Sequence, residues 1–446
     1  APSSCDEGAL SVYWRCVMLD LQLIREDPQG VKKAMQTLGA EAPIDEILAL
    51  DEKRRDLLQD VEGLRHERNV TSKKIGQMKD EEERQRLIDA MGGVNERIKS
   101  LEAELHEVDD ALEAAMYLVP NLPDESVPIS LDEGDNPVIR QEGEPKTTED
   151  FGFTPLAHWD LGPHLGIIDF ERGVKLSGSR FYVLFGQGSR LQRALIQWML
   201  DFHVREHGYM EVYPPAIVRE QCMWGAGQLP KFRDNIYHDA EEDLWLVGTA
   251  EIPLTNLHRD EILDAEELPK KYVAFTPCFR REKFSAGRDV RGIKRGHQFD
   301  KVEMYHFTTP ENSYNELEEL VDNAEDICRA LEIPHRVVQM VTGDLGFTAA
   351  KKYDVELWAP GCAEWLEVSS CSNVESFQAR RANIRYRPDA DAKPDFVHTL
   401  NGSGLALPRV MIAILENYQQ PEGTVRIPEV LVPYMGGDKI IGPVER

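Results

Sequence analysis

Residues 276–307 read TPCFRREKFSAGRDVRGIKRGHQFDKVEMYHF. An apolar lead-in, Tyr272, Val273, Ala274 and Phe275, runs into Phe279, Arg280, Arg281 and Glu282; a Gly- and Arg-rich excursion follows, and an alternating run returns from His297 to Phe307. The pattern is strand, loop, strand. Successive side chains on a strand take opposite faces, so Phe299, Lys301 and Glu303 share one face and Asp300, Val302 and Met304 the other. One face then offers an aromatic ring and a carboxylate beside Arg280 and Glu282. Arginine suits a phosphate or carboxylate, a ring suits a stacked base, and a carboxylate suits an ammonium. A solvated sheet face of paired arginines and glutamates is the plainer account of such charges, and only the particular spacing argues against it.

The rest of the chain must fit around this pair. At 446 residues it can hold two or three domains with a large core. Lys plus Arg number 51 and Asp plus Glu 79, a formal charge of −28, so any contact with nucleic acid must come from a local basic stripe. Seven scattered cysteines, with no CxxC pair and no His-Cys cluster in the sequence, point to free thiols in a reducing compartment and to no structural zinc. No apolar run approaches membrane-spanning length, which fits a soluble, cytoplasmic protein. Residues 1–17 lack the apolar core of a signal peptide and the Arg-rich character of a transit peptide; they read as a disordered extension ahead of a natural start at Met18.

From Ile47 a heptad runs through Leu50, Arg54, Leu57, Val61, Leu64, Arg68, Thr71, Ile75 and Met78, and a second from Leu87 through Leu101 to Ala115. The charged stretch 79–86 between them reads as a tip, making an antiparallel helical hairpin whose helices of about 35 residues would span roughly 50 Å. Arg54, Arg55, Arg65, Arg68, Lys73 and Lys74 on its first helix are ordinary solvated charges one by one. As a set on an arm of an acidic protein, they are the candidates for RNA backbone contacts. Residues 119–165, rich in Pro, Asp and Glu, read as a linker with short strands near 138–140.

Three further stretches carry chemistry. Thr249 and Glu251 flank one small residue in LVGTAEIPL, read as a loop-like turn; TAE alone is a weak signal. In WLEVSSCSN, strict alternation would put Glu367 and Ser369 on one face, with Ser370 at the turn out of the strand, and an oxygen-only set of this kind suits Mg2+. Cys362 and Cys371 read as bystanders. In TLNGSGLALPR a Gly-Ser-Gly turn leads into an apolar helix, with Pro408 fit for its first turn and Arg409 at its N-terminus as an anion site.

FRRE followed by SAGRDVRG and HQFDKVE resembles motif 2 of class II aminoacyl-tRNA synthetases, and in the form HQFDKVE that of the seryl-tRNA synthetases. A helix from 189 to 207, a strand from 210 and Pro214-Pro215 resemble motif 1, the dimer-forming element. LNGSGLALPR with EGTVRIPEVLVPYMGG resembles motif 3, so the likeness runs from Met18 to the C-terminus. It implies an α+β fold: a disordered extension (1–17), an N-terminal helical hairpin that grips the long variable arm of the tRNA (18–118), a linker (119–165) and a class II catalytic domain on a mainly antiparallel β-sheet flanked by helices (166–446). It also implies ATP-dependent activation of L-serine and its transfer to tRNA(Ser), with tRNA(Sec) as an open second acceptor, in a cytoplasmic homodimer.

Residue by residue, the resemblance assigns serine to Thr249, Ala250, Glu251, Arg280, Glu303, Asn401 and Ser403. ATP falls to Arg280, Arg281, Glu282, Phe299, Glu367, Val368, Ser369, Ser370 and Arg409, and Mg2+ to Glu367 and Ser370. Arg280 and Arg409 are the catalytic pair. Three departures stand out: the extension, Lys283-Phe284 in the motif 2 loop, and Leu407-Pro408 before Arg409. Two other classes remain to be weighed. A relative that loads an amino acid onto a carrier protein would lack the long arm, and a catalytically dead dimer would not need Arg280, Glu282, Glu303, Glu367 and Arg409 intact.

Overall fold

The structure, a computed structural model, describes residues 20–283 and 291–443. The extension and Phe284 therefore lie outside the described residues. Two compact units divide the chain, one formed by residues up to 36 and 40–120, the other by 37–39 and 121–446.

In the first unit, short helices Leu21–Glu26 and Pro28–Thr37 precede the hairpin of α1 (Ile44–Gln77) and α2 (Glu81–Met116). At 34 and 36 residues these helices are about 50 Å long. The seam follows the heptads, with Leu57 and Val61 buried against Leu101 and Val108. The tip is shorter than the charge run suggests, because residues 81–86 are helical. Asp80 accepts from the backbone N–H groups of Glu82 and Glu83, and Glu81, Glu82 and Glu83 sit in the first turn, where the helix dipole favours negative charge.

The second unit is built on an eight-stranded sheet. Its strands are β1 (Val138–Glu142), β2 (Met210–Val212), β3 (Lys270–Phe279), β4 (Gln298–Thr308), β5 (His335–Gln339), β6 (Lys351–Ala359), β7 (Glu364–Asn373) and β8 (His398–Ala406). The spatial order is β1-β5-β6-β7-β8-β4-β3-β2, antiparallel throughout except for β2 with β3. The helices that frame the site are α3 (Gly186–Glu206), α4 (Glu251–Thr255), α5 (Ser313–Ala330), α6 (Phe377–Arg381) and α7 (Leu407–Asn417). Leu191 and Met199 of α3, Leu317 and Leu320 of α5, and Met411 and Ile414 of α7 bury one face of the sheet through Val302, Met304, Val355 and Val368. At about 1.5–3 kcal/mol for each large apolar side chain taken out of water, this layer fixes which sheet face is core and which is free for chemistry.

The stretch expected as a linker is part of this unit. β1 is an edge strand paired with β5, and Asn121 Nδ2 donates to the carbonyls of Thr348 and Val374. The Gly-Ser-Gly segment is likewise not a turn, because it lies inside β8, and α7 starts at Leu407. Its glycines answer to packing: a Cβ on Gly402 would sit 2.9 Å from Cys371 Sγ, and one on Gly404 2.6 Å from His203 Nε2.

Candidate active site

On the free face, β3, β4, β7 and β8 floor a cleft of about 420 Å3. Period-two alternation on β4 sends Phe299, Lys301 and Glu303 into it, while Val302 and Met304 join the core. Register then decides their neighbours. Glu303 lies between Ala274 of β3 and Ser403 of β8, and Cys278 lies opposite Phe299. A small residue on one side and a hydroxyl on the other leave the Glu303 carboxylate room for a small polar ligand. Lys301 forms an ion pair with Glu303, both side chains being almost wholly buried.

Arg280 leaves the end of β3 and donates from Nε to the Gly248 carbonyl at 3.1 Å; its guanidinium carbon stands 5.2 Å from the Phe299 ring centroid. Glu282, two residues on, has φ +50°, a left-handed conformation that costs a non-glycine residue about 1–2 kcal/mol. Its carboxylate lines the cleft with Arg295, 3.8 Å away. A second hollow, of about 410 Å3, adjoins the cleft and shares Glu251, Arg280, Glu282 and Arg295 with it; Thr249 belongs to its wall. Thr249 and Ala250 lie in the bend and turn that lead into the short helix α4, which Glu251 opens. Glu251 Oε1 accepts from Gln378 Nε2 at 2.6 Å and Asn401 Nδ2 at 3.0 Å. Burial, and then Glu303, push the Glu251 carboxyl up to about 7, against Lys301, Gln378 and Arg280.

At the other end, β7 departs from alternation. Val355 faces Ser369 but Glu356 faces Glu367, so Val368 is an extra residue, a β-bulge. The bulge puts Glu367 and Ser370 on the cleft face and turns Val368 and Ser369 to the core, which overturns the expectation that Glu367 and Ser369 share a face. Ser370 also lies inside the strand, which continues to Asn373. Ser369 Oγ donates to the Ser403 carbonyl at 2.6 Å. Arg409, in the first turn of α7, donates to the Glu367 carbonyl at 2.6 Å and reaches its carboxylate at 3.1 Å. Burial pushes the Glu367 carboxyl up, but Arg409, Lys352 and Arg280 outweigh it and hold it low.

Of the expected residues, the cleft gathers Glu251, Arg280, Glu282, Phe299, Glu303, Glu367, Ser370, Asn401, Ser403 and Arg409. Five side chains fall outside it, Thr249 lining the adjoining hollow instead. Arg281 is exposed and lies 5.2 Å over the Tyr237 ring, Ala250 is buried in an apolar cluster, and Val368 and Ser369 face the core. Sequence reading passed over Asp354 and gave Lys301 no role. Asp354 lies opposite Ser370, with Oδ1 buried and without a hydrogen-bond partner; burial, then Glu367, push its carboxyl up to about 7. Asp354, Glu367 and Ser370 form an all-oxygen donor set that fits Mg2+. Cys362 is not isolated: its thiol donates to Glu416 Oε1 at 3.0 Å, which also lies 2.9 Å from His158 Nδ1.

On the arm, Arg54 is not a surface cation, because it pairs with Asp109 across the seam at 2.7 Å. Arg55 pairs with Asp51 at 3.2 Å and Arg65 with Glu102 at 2.8 Å. Lys73 and Lys74 are exposed and Arg68 is half-buried; these three form no ion pair among the described residues.

The mainly antiparallel sheet, the turn at Arg280 to Glu282, Phe299 on the return strand and Arg409 at the head of α7 agree with the resemblance to class II aminoacyl-tRNA synthetases. Two family models bear this out. The tRNA synthetase class II core domain (G, H, P, S and T) matches residues 232–418, and the seryl-tRNA synthetase N-terminal domain matches residues 18–123. Serine–tRNA ligase of Roseiflexus sp. (strain RS-1) is 64% identical over 95% of this chain and 99% of its own length. That of Thermomicrobium roseum is 61% identical over 95% of both. Among solved structures, seryl-tRNA synthetase from Pyrococcus horikoshii complexed with ATP is 43% identical, with a TM-score of 0.89 over 96% of this chain and 100% of that one. The chain belongs to the seryl-tRNA synthetase family and is a serine–tRNA ligase.

Proposed function

We propose that the cleft activates L-serine with ATP, giving seryl-adenylate and pyrophosphate, and then passes the seryl group to the 3′-hydroxyl of the terminal adenosine of tRNA(Ser). The observation that carries this is the convergence, in one cleft, of a half with an aromatic ring beside a carboxylate (Phe299, Glu282) and a half bearing the half-buried Glu251 and the buried Glu303, with Arg280 in both hollows between them. Glu282 accepts from the adenine amino group and Phe299 stacks on the ring. Arg280 holds the serine carboxylate against the α-phosphate, converting a bimolecular attack into a positioned one. Thr249 and Glu251 receive the ammonium, with Asn401 steadying Glu251, and Glu303 and Ser403 receive the hydroxyl. Arg409 pairs with the γ-phosphate. The attacking oxygen is the substrate's own carboxylate, so no protein nucleophile is consumed, and charge gathering on phosphorus is met by Arg280.

Glu367, Ser370 and Asp354 would hold Mg2+, which when bound supplies positive charge to the ATP phosphates. The solved relative complexed with ATP supports the nucleotide assignment. The matched N-terminal domain supports the arm as the tRNA-binding element, with Arg68, Lys73 and Lys74 the better-placed cations and Arg54, Arg55 and Arg65 the engaged ones. The enzyme works as a homodimer through α3 and β2, in the cytoplasm; no helix among the described residues is long and apolar enough to cross a membrane.

The test is amino-acid-dependent exchange of labelled pyrophosphate into ATP, followed by charging of tRNA(Ser) and tRNA(Sec) side by side. Exchange with serine, and rejection of alanine by about 10⁴-fold because alanine brings no hydroxyl to donate to the buried Glu303 carboxylate, is the expected result. Exchange with another amino acid, or none, would refute the assignment.

A further inference from the structure

Behind the Glu251 carboxylate lies a carboxamide to which the reaction above gives no part. Gln378, on α6, is fully buried. Its Nε2 donates to Glu251 Oε1 at 2.6 Å and to the Ala226 carbonyl at 3.2 Å. Its Oε1 accepts from the Tyr305 hydroxyl at 2.8 Å and from Thr399 Oγ1 at 3.0 Å. A carboxylate and a carbonyl only accept, so the nitrogen must face them and the oxygen must face the hydroxyls. Every hydrogen-bonding position of the amide is then filled, and rotating it would break all four bonds at once, each costly to lose in a buried setting. The second donor to Glu251, Asn401, uses the same oxygen. Neither donor takes Oε2, whose lone pairs remain for a cation.

We infer that Gln378 is the positioning residue of the ammonium subsite: its amide holds Glu251 in one orientation and in the charged form, and so sets the serine KM and the pH range in which serine binds. The inference rests on Glu251 receiving the ammonium, as proposed above. The groups acting on Glu251 come from every element around it: Glu303 and Lys301 from β4, Arg280 from the end of β3, Asn401 from β8 and Gln378 from α6. Burial and Glu303 disfavour the anion, and Lys301, Gln378 and Arg280 favour it. Among the three that favour it, only Gln378 makes a direct hydrogen bond to the carboxylate.

Two substitutions separate this role from mere packing. Gln378→Glu keeps the shape but sets a second carboxyl against Glu251. Tyr305 and Thr399 would donate to the new carboxylate and keep it charged, so the shared proton would settle on Glu251. Gln378→Met keeps the approximate volume and removes the donor. The experiment is serine-dependent pyrophosphate exchange from about pH 6 to about pH 9, with melting temperatures taken on the same samples. For Gln378→Glu the serine KM near neutral pH should rise roughly tenfold or more, the worth of a hydrogen bond to a charged group. The curve of KM against pH should move to higher pH, while kcat at saturating serine and the KM for ATP stay within about twofold.

Gln378→Met should show the same direction; if it fails to fold, Gln378→Glu decides. An unchanged serine KM and pH curve in folded Gln378→Glu protein would overturn the inference. So would equal losses in the serine and ATP KM values, the mark of a packing defect. Wild-type enzyme that does not exchange with serine would instead overturn the reading of the cleft itself, whatever the variants do.

Discussion

Replacing Glu251 with glutamine should make the protein more stable and less active, and the size of the effect follows from its surroundings. Burial and Glu303 lift the Glu251 carboxyl from the ordinary 4.5 to about 7. The folded protein therefore holds this proton more tightly than the unfolded chain does. By linkage, the stability that the group contributes is fully present below 4.5 and is lost as pH rises through about 7, where the folded state must carry a desolvated anion. The span from 4.5 to about 7 corresponds to a ceiling of about 3 kcal/mol at alkaline pH. Glutamine has the same shape and can accept from Gln378 and Asn401 through the same oxygen, but it has no charge to desolvate. Ligand-free Glu251→Gln protein should melt close to wild type at about pH 5 and a few degrees above it at about pH 8. Its serine-dependent exchange should fall by about 100-fold or more, since the ammonium loses its counter-charge. Thermal melts at the two pH values decide the matter. An equal offset at both, or a lower melting temperature at pH 8, would show that Glu251 is not held as a costly anion and would remove the physical basis of the ammonium subsite.

Arg280→Ala should lower pyrophosphate exchange by about 10³-fold or more, because the guanidinium that serves both hollows is lost; wild-type exchange would sink the assigned chemistry. Burial, then Glu367, push the Asp354 carboxyl up, so a cation competes with its proton and the Mg2+ concentration for half-maximal exchange should rise as pH falls from about 8 to about 6. Asp354→Asn should flatten that dependence, and a dependence kept in the variant would exclude Asp354 as a ligand. On the arm, the double variant Lys73→Ala, Lys74→Ala should raise the KM for tRNA, reduce the log–log salt slope of tRNA binding by about 1 to 2, and leave exchange untouched. Arg54→Ala should instead lower the melting temperature by leaving the buried Asp109 unpaired, a loss of about 1–3 kcal/mol seen in thermal or urea melts.

How much of this could be read from the sequence depended on whether a local rule had a competitor. β4 could be read because nothing interrupts its alternation at the cleft: Phe299, Lys301 and Glu303 fall on one face as the period requires. The hairpin could be read because two heptad runs leave few other ways to bury Leu57, Val61, Leu101 and Val108. Its tip was overestimated because a charged run looks like a loop, although Asp80 followed by Glu81, Glu82 and Glu83 is itself a helix start. Asp354 was missed because Lys352, Asp354 and Glu356 at every second position look like a solvated strand face; only the interior place of β6 in the sheet half-buries it and covers its Oδ1. The heptad put Arg54 on the seam, where it lies, but its partner could not be read, since Asp109 is 55 residues away on the other helix.

The bulges are the part that no local rule reaches, and they assemble the end of the cleft at Glu367 and Arg409. One adds Val368 to β7; the other shifts β8 against β4 between Ser403, opposite Glu303, and Ala406, opposite Lys301. The hydrogen bond from Ser369 to the Ser403 carbonyl ties the two irregular segments together. With strict alternation, Glu367 and Ser370, three apart, would face opposite ways, and one of the two proposed Mg2+ ligands would be buried in the core. The bulge in β7 removes that conflict. The shift in β8 comes just before the chain enters α7, whose first turn carries the arginine that reaches the Glu367 carbonyl at 2.6 Å. A polar site can thus be built on a strand whose sequence, WLEVSSCSN, alternates for a different arrangement, because the core claims Val368 and Ser369 and the extra residue pays for the change of face.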